Sequence, residues 1–126
     1  MKKIYFLLVG ICLFTIASTA QIKPIQSAII KTPDALCIEC KTRIENYLKR
    51  YDGLLEVNVN YRKGEAKVKY VSDRTDIEQI KAAIANAGYD ADDVLAAENQ
   101  YKKLPNKCKK AVDGGEHPKL KTVVKQ

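Results

Sequence analysis

A chain of 126 residues with a formal net charge of +7 is long enough for one small core and too short for two. The positive charge is spread along the chain with no aromatic-studded basic stripe, which argues against nucleic acid as a partner. A single histidine, His117, and the lack of a Ser/His/Asp set, paired catalytic carboxylates or a phosphate loop argue against an enzyme.

Residues 1–20 read as a secretory signal peptide. Lys2 and Lys3 precede an apolar run of about 13 residues that gives way to Ala17-Ser18-Thr19-Ala20. That run is shorter than the roughly 20 residues of a membrane helix, so cleavage before Gln21 is expected to leave a soluble periplasmic or secreted chain with no membrane insertion. Ile11 is too bulky to precede a lipidated Cys12. Three cysteines then remain, Cys37, Cys40 and Cys108, and an odd count argues against a closed disulfide framework.

Residues 22–31 predict a strand, ended by Thr32-Pro33-Asp34, with an exposed loop to about residue 37. A helix follows, with Cys40, Ile44, Tyr47, Leu48 and Tyr51 on one apolar face, stopped by Asp52-Gly53. Leu55, Val57, Val59 and Tyr61, then Ala66, Val68 and Tyr70, alternate with polar residues on either side of Arg62-Lys63-Gly64-Glu65, which predicts a hairpin with one buried face. Residues 73–75 offer N-caps for a second helix carrying Ile77, Ile80, Ile84 and Ala87, closed by Gly88. A short strand over residues 90–95 would complete an α+β, ferredoxin-like βαββαβ sandwich, with two helices on one face of a four-stranded antiparallel sheet. This gives a domain over residues 21–97 and a flexible basic tail over residues 98–126.

The chemistry lies in Leu36-Cys37-Ile38-Glu39-Cys40, where a loop runs into the first turn of a helix. Two intervening residues let both sulfurs turn toward one point, and soft thiolates favour Cu(I), Hg(II), Zn(II) or Cd(II) over Mg or Ca. Unpaired N–H groups at the helix start favour the metal-binding thiolate. Two ligands leave coordination positions open for a partner thiol, which suits handover of the ion. A redox-active or structural disulfide between Cys37 and Cys40 is the rival reading. Cys108 is either a third ligand closing over the site or a free tail thiol, because the intervening chain is long enough to span the domain.

The CxxC between strand one and helix one, the βαββαβ order and Gly88-Tyr89-Asp90-Ala91 together resemble the heavy-metal-associated domains over residues 28–95. That family includes copper chaperones, amino-terminal modules of copper-transporting P-type ATPases and the periplasmic mercuric-ion-binding protein. The resemblance implies Cys37 and Cys40 as ligands of one soft metal ion, Cu(I) first and Hg(II) next, with Tyr89 on the loop beside them. It implies a metallochaperone whose partner is a metal-transporting membrane protein or another metal carrier, working as a monomer or a metal-bridged dimer. Ala35 stands where the family usually carries a methionine that plugs the loop into the core, leaving Leu36 to turn inward.

Overall fold

The computed structural model describes residues 24–116, so the signal-peptide reading of residues 1–20 and His117 lie outside the described residues. Strand β1 (Ile25–Lys31) leads to helix α1 (Ile38–Leu48). The hairpin β2 (Leu54–Asn60) and β3 (Glu65–Val71) follows, and then helix α2 (Ile77–Asn86). The strands form one antiparallel sheet in the order β1-β3-β2, with Ile30 opposite Ala66, Val59 also opposite Ala66, and Val57 opposite Val68.

One core cluster collects Ile30, Val59, Ala66, Val68 and Tyr70 from the sheet, Cys40, Ile44 and Leu48 from α1, and Ile80, Ala83 and Ile84 from α2. Lys67 and Lys69 alternate with these on β3 and are exposed, as period-two patterning requires. A register shift between Leu54 and Glu56 moves the alternation by one residue, so Leu55 faces solvent instead of the core. Helix α1 ends at Leu48, one turn before the Asp52-Gly53 stop, and only Cys40, Ile44 and Leu48 of its expected face are buried. Tyr47 and Tyr51 are exposed and stack at a tilt, with ring centroids 5.9 Å apart. The N-cap of α2 is Asp76, just beyond the expected residues, and its side chain accepts the Gln79 N–H at 2.9 Å.

The expected fourth strand does not form. Over residues 90–95 the chain closes a tight turn through paired hydrogen bonds between Ala91 and Val94 (2.8 and 2.9 Å), with Asp92 in a left-handed conformation. Such a turn cannot run alongside β1. Among the described residues its hydrogen bonds to that edge come from Asp92, whose N–H donates to Lys31 O (2.9 Å) and whose carboxylate accepts the Lys31 N–H (2.7 Å). Among the described residues the sheet therefore has three strands.

Beyond Ala97, where the sequence suggests a flexible tail, the chain forms helix α3 (Glu98–Lys102) and two single 3₁₀ turns, Asn106–Cys108 and Ala111–Asp113. Leu104 and Cys108 are buried and join the core cluster. Two isolated apolar residues carry this packing, so no periodic signal announced it. Among the described residues no helix is long and apolar enough to cross a membrane.

Gly88 fixes where this strap lies. Its φ of +100° is unfavourable for any side chain, and a Cβ there would come within 3.2 Å of the Leu104 side chain. Gly88→Ala should lower stability by more than about 1 kcal/mol in thermal or urea denaturation. Gly114→Ala, also at positive φ but with open space around it, should cost less. Equal losses would mean that Leu104 does not rest on Gly88.

Candidate metal centre

The loop that carries the first cysteine is tied down at its start: Thr32 N–H donates to Gly64 O (2.7 Å) and Ala35 N–H to Thr32 O (3.0 Å). Ala35 is fully buried in the core cluster, whereas Leu36 is only half-buried and does not take up the inward position expected of it. Cys37 is the N-cap of α1, in extended conformation, and its sulfur accepts the Cys40 N–H at 3.2 Å. A sulfur at this position faces the positive end of an eleven-residue helix, where negative charge is stabilised. Cys40, one turn in, points from the same helix into the core.

Cys37 and Cys40 are joined as a disulfide, with their Cα atoms 5.2 Å apart. The free thiol of Cys108 sits against them, its sulfur 3.1 Å from Cys40 Sγ and 3.8 Å from Cys37 Sγ. The three sulfurs all lie within 4.8 Å of one another. Cys40 and Cys108 are inaccessible, while Cys37 at the rim is half-buried. Burial pushes the Cys108 thiol up from its ordinary range. Tyr89 is also fully buried, and its hydroxyl has no hydrogen-bond partner of good geometry. Burial, and then the adjacent Cys108, push that phenol well above its usual value.

The heavy-metal-associated domain family matches residues 29–90. The copper chaperone CopZ of Staphylococcus aureus (strain JH9) is 32% identical over 62 residues, covering 49% of this chain and 91% of CopZ. This chain belongs to the heavy-metal-associated domain family. The copper-exporting P-type ATPase of S. aureus (strain Newman) is 38% identical over 55 residues, covering 44% of this chain, which spans only 7% of that enzyme's length. The crystal structure of oxidized MerP from Ralstonia metallidurans CH34 matches with a TM-score of 0.51 over 53% of this chain and 93% of MerP. At 22% identity, that likeness is one of fold, the ferredoxin-like fold of these domains.

Against that family frame, Cys37, Cys40 and Tyr89 fall within or at the edge of the matched region, whereas Cys108 lies outside it. What brings Cys108 back is a set of contacts with no sequence signature. The Lys110 ammonium bridges two carboxylates, Asp90 at 2.8 Å and Asp34 at 3.5 Å. The Lys110 N–H donates to the Tyr101 hydroxyl at 2.9 Å, and that hydroxyl donates to Asp113 at 2.5 Å. Asp34, Asp90 and Lys110 come from the metal loop, the turn after α2 and the strap, at separations no periodicity reveals. The Lys41 ammonium is engaged with Glu45 (2.7 Å), Asn58 (3.2 Å) and Val59 O (3.0 Å).

Burial, then the nearby Asp90 carboxylate, push Asp34 up to about 6. Burial acts on Asp90 in the same sense, but hydrogen bonds from Lys110 and from the Ala96 N–H outweigh it and hold Asp90 below the usual carboxylate range. Between 3.8 and about 6 the folded chain holds a proton at Asp34 that the unfolded chain has released, so this group's contribution to stability falls as pH rises through that window. Asp34→Asn cannot titrate. The melting temperature of the wild-type chain minus that of the variant should therefore decrease from the lower to the upper end of the window. A constant difference would show that Asp34 is not perturbed.

Proposed function

We propose that this protein is an exported, non-enzymatic carrier of one soft metal ion, bound through Cys37 and Cys40 and passed on by ligand exchange. The observation that carries the reading is a CxxC pair whose first sulfur caps a helix N-terminus on a heavy-metal-associated fold. The copper chaperone and copper-exporting ATPase among its relatives favour Cu(I), with Hg(II) next and Zn(II) or Cd(II) as weaker fits. Loading begins with reduction of the Cys37–Cys40 disulfide by a dithiol. Two electrons and two protons give two thiols, the reductant becomes a disulfide, and the incoming ion displaces the thiol protons. A thiol from a metal-transporting membrane protein or another carrier then enters the coordination sphere from the Cys37 side, which is the side open to solvent. The working unit is a monomer.

The disulfide favours a second reading, in which the pair exchanges electrons with a client thiol and holds no metal. The two readings separate in a titration of the reduced mature chain with Cu(I), Hg(II) and Zn(II) against a competing chelator, beside Cys37→Ser/Cys40→Ser. The carrier reading expects one tight equivalent of Cu(I) or Hg(II) that the double variant loses. Loose binding, or equal binding by the variant, would overturn it and make the pair's reduction potential the informative quantity.

A further inference from the structure

Cys108 lies outside the region that defines the family, yet its sulfur is inside the site. The strap that carries it is fixed on both sides. Before Cys108, Leu104 is buried over Gly88, and Pro105 O accepts the Cys108 N–H at 2.8 Å, closing the single turn that aims the thiol inward. After it, Lys110 is held by Asp90, Asp34 and the Tyr101 hydroxyl. Contacts from the turn after α2, the loop before Cys37 and the strap itself therefore hold Cys108 in place.

The arrangement of the three sulfurs separates two uses of such a thiol. A thiol poised to attack the disulfide at Cys40 would lie in line with the bond, which, with a sulfur–sulfur bond of about 2.05 Å, would put it about 5 Å from Cys37. Cys108 is only 3.8 Å from Cys37 and so sits beside the bond, not behind it. A three-coordinate ion with metal–sulfur bonds of about 2.3 Å requires a triangle of sulfurs with sides of about 4 Å. The Cys108–Cys37 side is already of that size, and the Cys108–Cys40 side, at 3.1 Å, is short by less than 1 Å. Reducing the disulfide releases the third side to open.

A second feature points the same way. The Tyr89 hydroxyl is buried beside Cys108 and, among the described residues, has no hydrogen-bond partner of good geometry. A neutral thiol is a weak acceptor, whereas a sulfur carrying negative charge is a strong one, so an ion-bound Cys108 offers this donor a stronger partner than the free thiol does.

We propose that Cys108 is a third thiolate ligand, so that the reduced protein holds a soft d10 ion in a three-sulfur site closed by its own C-terminal strap. This rests on the metal-carrier reading and deepens it: the resting site retains its ion, and a receiving protein must displace Cys108 as well as the CxxC pair. Each thiol loses one proton as its metal–sulfur bond forms, so loading releases up to three protons per ion instead of two.

The test is X-ray absorption at the metal edge. The full mature chain is reduced with a phosphine so that no added thiol supplies sulfur, then loaded with one equivalent of Hg(II) or Cu(I), beside Cys108→Ser. The expected result is three sulfur neighbours in the wild-type chain and two, at shorter distance, in the variant. A chelator should also strip the variant at an at least tenfold lower concentration, since losing even an outer-shell partner typically costs about 10–100-fold in affinity. Two sulfurs in a wild-type chain that binds one tight equivalent would overturn the third ligand and leave the carrier reading standing. Three sulfurs in both proteins would also overturn it, since the third would come from elsewhere. A wild-type chain that binds no ion removes both readings. The wild-type coordination number decides the question even if the variant misfolds.

Discussion

Helix α1 buries one narrow stripe, Cys40, Ile44 and Leu48, and the rest of the molecule is arranged around the consequence that its first member is a cysteine. Packing that stripe on β2, β3 and α2 sets the direction of the helix and thereby the place of its N-terminus. The N-terminus in turn holds Cys37 as a cap through the Cys40 N–H. Cys40 thus belongs to the core and to the site at once. A shift of α1 that opened a cavity under Ile44 would move the sulfurs as well, because interiors are packed too tightly to absorb such a change locally. The site is as rigid as the core on one side and open on the other, where Cys37 meets solvent.

The missing fourth strand and the strap are two aspects of one solution. With residues 90–95 folded into a turn, the edge of β1 receives two hydrogen bonds from Asp92, and the chain is delivered to the end of α2. From there α3 and Leu104 cover Gly88, and the path that follows passes directly over the sulfurs. A fully formed edge strand would have carried the chain along β1 instead. The local preference of Ala91-Asp92-Asp93-Val94 for a turn therefore decides what lies above the metal loop.

The sequence carried the parts of this structure that repeat. Alternation in the hairpin, the i, i+4 stripe of α1, the apolar face of α2 and Gly88 at its end all follow from periods of two or 3.6. The Cys37–Cys40 spacing pointed to the candidate site, and the family resemblance added Tyr89 beside it. Single events escaped it: one residue of bulge turned Leu55 outward, one left-handed residue removed a strand, and Leu104 with Cys108 turned a tail into a strap. Cys108 was visible as a thiol of unassigned role, and only the fold shows that it is buried against the other two. The Asp34–Lys110–Asp90 bridge was invisible for the same reason, since its members are ordinary surface types until three separate segments meet.

In the proposed carrier a disulfide and a metal ion compete for the same two sulfurs, Cys37 and Cys40, and the strap bears on both states. In the oxidised state Cys108 covers the inner face of the disulfide, leaving Cys37 as the half-buried sulfur through which a reductant or a partner thiol approaches. In the proposed loaded state the same thiol becomes a bond to the ion, and the contacts at Lys110 and Leu104 hold the strap that carries it. A two-sulfur carrier gives up its ion when one competing thiol arrives. With a third sulfur pinned to the core, transfer must begin at the half-buried Cys37 and finish at the buried Cys40 and Cys108. The order in which the ligands are lost is then set by burial, and the rate of transfer by how readily the strap lifts from Gly88.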